Sequence, residues 1–254
     1  MGFYELSKKD RDRLVKKIQN EIEDDILNNR INHIIKYFSD SDTYIRKAAY
    51  LSIGKIYKSR VIDIDRILSP LNKLINSEDE LIRQSVINSA GEIGIYEFFI
   101  IEHLMESGLQ DNHHKVRNAV IGSLKKAGKK NPGQIFKFSK KYIHHPDPEI
   151  RRQICHGIEL RGRTHPEEVL PYLKELQYDK SKRVADIMVH VVGQISYKKG
   201  CLVKVVDELL TWENKVLTEK CLNEILSVHK SYEKFSAKSV EEAERYVHSR
   251  LNKE

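Results

Sequence analysis

A pattern of about 34 residues recurs along the chain, and it constrains the fold more than any other feature of the sequence. The pattern is clearest in residues 111–127, DNHHKVRNAVIGSLKKA. Each copy is aligned on one position, which is an arginine in the first four copies: Arg46, Arg83, Arg117 and Arg151. The fifth copy has Ala185 there but keeps the remaining pattern. Each copy predicts an amphipathic helix, and a period of this length is typical of helix pairs that stack into a solenoid.

The helices predicted around these copies form an all-α fold, a right-handed α–α superhelix of about six helix pairs with capping helices. Ser7 and Asp10 indicate the start of a first helix that ends near Asn28. The first helices of the pairs are predicted at residues 31–38, 63–75, 97–105, 133–143, 166–176 and 202–212; the aligned copies and residues 215–229 supply the second helices. We expect one domain over 1–254, with an N-terminal cap over 1–28, repeats over 29–229 and a C-terminal cap over 230–254.

The composition favours a soluble cytoplasmic protein. Three cysteines, Cys155, Cys201 and Cys221, stand singly in predicted helices without a CxxC motif, which indicates reduced core thiols. The N-terminal residues are charged where a signal peptide needs an apolar run, and no stretch approaches the ~18 apolar residues of a membrane span. We expect neither membrane association nor a small-molecule cofactor.

Positive charge is concentrated in the middle of the chain. The formal net charge is +7, yet residues 112–146 contain nine Lys and Arg residues and no Asp or Glu. Such a clustered field favours an anionic partner, either nucleic acid or an acidic protein. The alternative is a solvated lysine face that serves only solubility.

The exposed row of the second helices is the predicted binding surface, and we expect it to line a concave groove. Its candidate binding residues are Lys47, Lys55, Lys58, Asn88, Asn118, Lys125, Lys126, Lys129, Arg152, His156, Arg163 and His190. Lysine and arginine would neutralise phosphates, while amides and imidazoles would donate hydrogen bonds to phosphate oxygens. Glycine lies eight residues after the aligned position in three copies, at Gly54, Gly91 and Gly193. Close helix packing is the favoured reason for these glycines, and a shallow groove floor is the other.

The aligned segments resemble HEAT repeats, over roughly residues 28–229. The resemblance rests on an acid four residues before the aligned arginine, at Asp42, Asp79 and Asp147, followed by Ile/Val-Arg and a small residue. It implies that these acids and the arginines form a ladder between successive turns, so the arginines are expected in salt bridges more than on phosphates. His113 replaces the acid in the third copy, and the ladder is therefore expected to be incomplete.

A second likeness covers EIRRQICHGIELRGRTHPEEVLPYL, which is similar to the HEAT-like DNA alkylation-repair glycosylases. That resemblance implies tryptophans and a carboxylate in a groove, but the chain has a single tryptophan, Trp212, and Asp186 is the lone acid at the first exposed position. We therefore predict no catalytic residues.

Two histidine pairs, His113-His114 and His144-His145, lie in predicted turns, but no fixed ligand spacing accompanies them, so no metal site is expected.

The leading hypothesis is a non-catalytic module that contacts nucleic-acid backbone. The alternatives are a scaffold for an acidic protein partner and, third, a glycosylase-like enzyme.

Overall fold

The computed structural model describes residues 2–251, and within them the chain has fourteen α-helices and no β-strand. The predicted all-α fold of about six helix pairs with a helix at either end is confirmed. The chain divides into two compact units, Met1–Asn131 (unit 1) and Pro132–Glu254 (unit 2).

Unit 1 begins with α1, whose Ser7 cap accepts from the Asp10 N–H as predicted. Three helix pairs follow, and the third opens with a 3₁₀ turn at Phe98–Ile101. The helix bounds are α1 Lys8–Leu27, α2 Asn32–Phe38, α3 Thr43–Ser59, α4 Ile64–Leu74, α5 Glu80–Gly94, α6 Glu102–Leu109 and α7 His114–Lys130. Helices α1, α3, α5 and α7 pack side by side as one layer, and α2, α4 and α6 pack against it as a second layer. The apolar stripes meet between the layers, where Ile22, Ile53, Val86 and Val120 are fully buried.

Unit 2 repeats this arrangement. Its bounds are α8 Pro132–Tyr142, α9 Pro148–Gly162, α10 Pro166–Lys174, α11 Lys182–Ser196, α12 Cys201–Leu210, α13 Lys215–Ser231 and α14 Val240–Leu251. Helices α9, α11 and α13 form one layer, and α14 packs on α12 and α13. Trp212, which follows α12, is fully buried together with Ile154, Val192 and Ile225.

The acids four residues before the aligned arginines are helix caps, so the expectation that they pair with the arginines is wrong. Asp42, Asp79 and Asp147 each accept from the backbone N–H two residues further on, at distances of 2.8, 2.7 and 2.8 Å. These first-turn donors have no partner within the helix, and the carboxylate is therefore held at the helix start. In the third copy, the His113 ring nitrogen accepts from the Lys115 N–H in the same place.

A ladder does exist, but it uses a different acid. Arg83 donates from Nε and Nη2 to Asp111 at 2.7 and 3.1 Å, and Arg151 makes the same fork with Asp179 at 2.6 and 2.9 Å. Both acids lie six residues before the aligned position of the next copy, and both pairs are largely buried. Ser77 stands in that place after Arg46, and Arg46 donates to the Asp40 and Ser41 carbonyls and the Thr43 hydroxyl of its own turn. This ladder is also incomplete, but for a different reason from the one expected: its acid is present only in alternate copies.

The aligned glycines mark close helix approach, which was the favoured interpretation. A Cβ at Gly54 would lie 2.6 Å from the Glu92 Cβ, and one at Gly91 would lie 2.2 Å from the Ser123 Oγ. At Gly193 the nearest atom would be the Glu224 Cγ at 2.6 Å. Adjacent second helices are therefore held closer than any side chain would permit.

Candidate binding surface

The predicted unit 1 residues lie on one exposed face of the second helices, which we call the second-helix face. The face is carried by α3, α5 and α7, and its members are Lys47, Lys55 and Lys58 on α3, Asn88 on α5, and Asn118, Lys125, Lys126 and Lys129 on α7. The members fall one, five, eight, nine or twelve residues after the aligned position of their helix, within an arc of roughly 100° at 3.6 residues per turn. The three helices are direct neighbours, so the structure brings these residues onto one surface of unit 1.

One carboxylate on this face already neutralises a lysine. Glu92 of α5 forms an ion pair with Lys126 of α7, and the Glu92 side chain is mostly buried. At the edge of the face, Lys115 lies 3.6 Å from Glu80. Glu92 lies nine residues after Arg83, in the register of Lys55 and Lys126, but its pairing depends on the close α5–α7 packing and could not be read from spacing. Lys126 is therefore a weaker phosphate candidate than its neighbours.

Four lysines on the second-helix face remain available to bind an anion. Lys47, Lys55, Lys58 and Lys129 are exposed, and none forms an ion pair with an acid among residues 2–251. Asn118 is exposed and Asn88 is half-buried beside them, while Lys125 is partly buried. The surface thus combines uncompensated cations with amide donors, which is the composition that phosphate oxygens require.

The predicted unit 2 residues are instead engaged with carboxylates of α9. Arg152 makes a bidentate fork with Glu149 at 2.9 and 2.7 Å. Arg163 donates to Glu159 Oε1 at 2.6 Å and to the Gln194 side chain at 2.8 Å. The Glu149 carboxylate holds the pKa of the Arg152 guanidinium above its usual range. To bind phosphate, these arginines would first have to leave their carboxylate partners. Their role as phosphate ligands therefore stays a prediction.

Glu159 is the functional group that sequence reasoning missed. Its side chain is 1 % exposed, and its Oε2 lies 3.2 Å from the His156 Nε2 and 3.7 Å from the His190 Nε2. The two imidazole rings meet edge to face, 5.6 Å apart. A signal was present in the alignment, because Glu159 occupies the column that holds Gly54, Gly91 and Gly193 in other copies. Neighbouring second helices pack closely at this aligned position, so a carboxylate there is expected to be buried.

The two histidine pairs in the turns provide less evidence for a binding or metal site. The rings of His113 and His114 lie 4.7 Å apart at a tilt of 32°, and His144 Nε2 lies 2.7 Å from the Glu175 carboxylate on the surface. Neither pair belongs to a group of three potential metal ligands among the described residues.

Burial raises the pKa of the Cys155 and Cys221 thiols to about 12 in each case, which keeps both protonated at neutral pH.

The two residues considered for a glycosylase-like groove lie in different settings. Trp212 is fully buried, so its indole cannot stack on a base at the surface. Asp186 is exposed and pairs with Lys182 of the same helix at 2.6 Å.

The comparisons with known proteins agree with this architecture. Residues 31–125 match the family model for HEAT repeats. A Streptococcus mutans UA159 structure, smu.31, is 17 % identical with a TM-score of 0.51, and the match covers 70 % of this chain and 94 % of that one. The structure of AlkD2 from Streptococcus mutans is 15 % identical with a TM-score of 0.55, covering 80 % of this chain and 97 % of that one. No curated protein matches the sequence.

The fold is therefore that of a helical-repeat scaffold. More specifically, it is HEAT-like, with HEAT repeats identified over residues 31–125 and a fold likeness to an AlkD-type protein. At these identities the solved structures show the fold alone. No helix in residues 2–251 has both the length and the apolar content needed to span a bilayer.

Proposed function

We propose that the protein is a non-catalytic binding module and that the second-helix face of unit 1 contacts the phosphate backbone of a nucleic acid. The observation that carries this proposal is the set of four exposed lysines without an acid partner among the described residues: Lys47, Lys55, Lys58 and Lys129. Phosphate neutralisation by lysine releases condensed counterions, and this supplies most sequence-independent affinity for nucleic acid.

The spacing of the lysines suits a chain of phosphates. The α3 and α7 rows are separated by α5, and packed helices lie roughly 8–10 Å apart, so the rows stand roughly 16–20 Å from one another. One DNA strand advances 3.4 Å per phosphate along the helix axis, and the face therefore spans several phosphates. Asn88 and Asn118 lie beside the lysines and can donate to phosphate oxygens without adding charge.

Binding of labelled single-stranded and duplex DNA to the full chain, measured by fluorescence anisotropy at increasing salt, tests the proposal. For duplex DNA, four phosphate contacts predict a slope of about −3.6 in log affinity against log salt, or a loss on the order of 100-fold between 50 and 200 mM; for a single strand the slope is about −2.8. The paired substitution Lys47→Gln and Lys55→Gln should weaken binding and flatten the slope by about 2.

The matched control is Lys36→Gln with Lys73→Gln, on the second-layer helices α2 and α4. It removes the same charge from unit 1 but leaves the second-helix face intact, so the slope should not change. A slope that falls equally in both double variants would show that net charge alone drives binding.

No retention of either probe at low salt would refute the nucleic-acid proposal. The same lysines would then favour the alternative partner, an acidic protein segment, which also needs uncompensated cations on an exposed face. A glycosylase-like activity, the third hypothesis, has no support from Trp212, because that side chain is buried.

A further inference from the structure

A cluster of potential metal ligands lies in unit 2. His156 and Glu159 are three residues apart on α9, which places both on one side of that helix, and His190 reaches them from the adjacent α11. The ligand atoms of these three side chains all lie within 4.8 Å of one another.

The distances fit a tetrahedral ion. Zinc–nitrogen and zinc–oxygen bonds of about 2.0–2.1 Å place neighbouring tetrahedral ligands about 3.3–3.4 Å apart. Glu159 Oε2 lies 3.2 Å from the His156 Nε2 and 3.7 Å from the His190 Nε2, which is close to that spacing. Two imidazoles and one carboxylate form a donor set that zinc uses when three protein ligands leave a fourth position open.

Arg163 orients the carboxylate for this role. Its guanidinium donates from Nε and Nη2 to Glu159 Oε1 at 3.1 and 2.6 Å, and it is itself held by the Gln194 oxygen at 2.8 Å. Because Oε1 is occupied, Oε2 is the atom turned to both imidazoles. Arg163 also balances the buried charge of Glu159 when no cation is bound.

We propose that His156, Glu159 and His190 form a zinc-class metal site that links α9 to α11. The His190 side chain is 44 % exposed, which leaves solvent access for a fourth ligand. The affinity is expected to be modest, roughly micromolar, for two reasons. The buried His156 Nδ1 has no hydrogen-bond partner within residues 2–251, and metal-binding histidines lose about 10–100-fold in affinity without such an outer partner. The Arg163 charge also repels a cation.

A second group of potential ligands, Asp24, Asp25 and His33 in unit 1, is better explained as a structural cap. Asp25 is fully buried and accepts from the backbone N–H groups of His33 and Ile34 at 2.7 and 3.1 Å, where α2 begins. Asp24 is ion-paired with Arg30. The Asp25 carboxylate is thus committed to a helix start, and this group provides a matched control.

Titration of the full chain with Co²⁺, followed by displacement with Zn²⁺, tests the site. We expect one saturable equivalent with the visible absorption of a tetrahedral ion. His190→Ala should weaken Co²⁺ binding at least tenfold, and Glu159→Gln should do the same. Neither His33→Ala nor His144→Ala should change it.

His190→Ala is the deciding variant, because it removes a half-exposed side chain and leaves the buried Glu159–Arg163 pair in place. Trp212 fluorescence reports whether the unit 2 variants have folded, and helical circular dichroism does so for His33→Ala. Absence of a saturable Co²⁺ site overturns the proposal, as does an unchanged spectrum and affinity in folded His190→Ala. Loss of binding in His33→Ala would move the site to unit 1 and overturn it equally.

Discussion

Removal of the Asp179 carboxylate should destabilise unit 2 more than any exposed substitution, because Asp179 closes one link of the ladder. It accepts from the Arg151 Nε and Nη2 at 2.6 and 2.9 Å and from the Ser181 N–H at 2.8 Å. The two side chains of the pair are 15 % and 5 % exposed. Burial alone would raise the pKa of Asp179, but the Arg151 guanidinium and the Ser181 N–H outweigh it and hold the pKa below its ordinary value.

The magnitude follows from what Asp179→Ala leaves behind. Two guanidinium N–H groups of Arg151 would remain desolvated without an acceptor, and the N–H of Ser181 would lose its cap. Breaking one side of a buried ion pair costs about 3–5 kcal/mol. Because Arg151 keeps the carbonyls of His145 and Pro146, we expect the lower value, about 3 kcal/mol.

Urea unfolding followed by Trp212 fluorescence measures this cost in unit 2, since Trp212 is the sole tryptophan and is fully buried. A double-mutant cycle with Arg151→Met should give a coupling of about 2 kcal/mol. The control is Asp186→Ala, whose pair with Lys182 is solvent-exposed and should change stability by less than ~0.5 kcal/mol. A coupling below ~0.5 kcal/mol for Asp179 would refute the ladder account.

The remaining predictions concern a glycine pair and a buried histidine. Gly91→Ala should destabilise unit 1 by about 1–3 kcal/mol, because the new Cβ would collide with Ser123. Gly122→Ala should instead stabilise its helix by up to ~1 kcal/mol, because a Cβ there would have no neighbouring atom within 4 Å. Thermal unfolding of the two variants measures the difference. Burial lowers the pKa of His229 below its usual 6.5, so below that pH the unfolded chain binds more protons and stability falls. In unfolding monitored by Trp212, the free energy of unfolding should fall by up to ~1.4 kcal/mol for each unit of pH below 6.5, and His229→Leu should reduce this dependence. An equal pH dependence in the variant would refute the assignment to His229.

The helix pairs could be predicted from the sequence because their signals are local. Apolar periodicity, cap residues and the 34-residue repeat survive in a single chain, and the predicted starts of α1 and α2 fall within one residue of those observed. The ladder acids were assigned wrongly for a physical reason. Asp179 lies 28 residues from Arg151, and only the stacking of consecutive turns brings the two together.

The candidate surface was predictable in its positions but not in its pairings. Helical spacing placed Lys47 and Lys55 on an exposed face, and both are exposed. Lys126 meets Glu92 from the neighbouring α5, and His190 of α11 meets Glu159 of α9. Such contacts depend on the distance between neighbouring helices, which the sequence pattern does not encode.

The most direct measurement of the central claim is the DNA affinity of Glu92→Gln. This substitution keeps the side-chain shape against Gly54 but removes the charge that neutralises Lys126. If the second-helix face binds phosphates, Lys126 becomes a further contact, so affinity should rise several-fold at low salt and the salt slope should steepen by about 1. Unchanged or weaker binding in a folded Glu92→Gln variant would contradict the account.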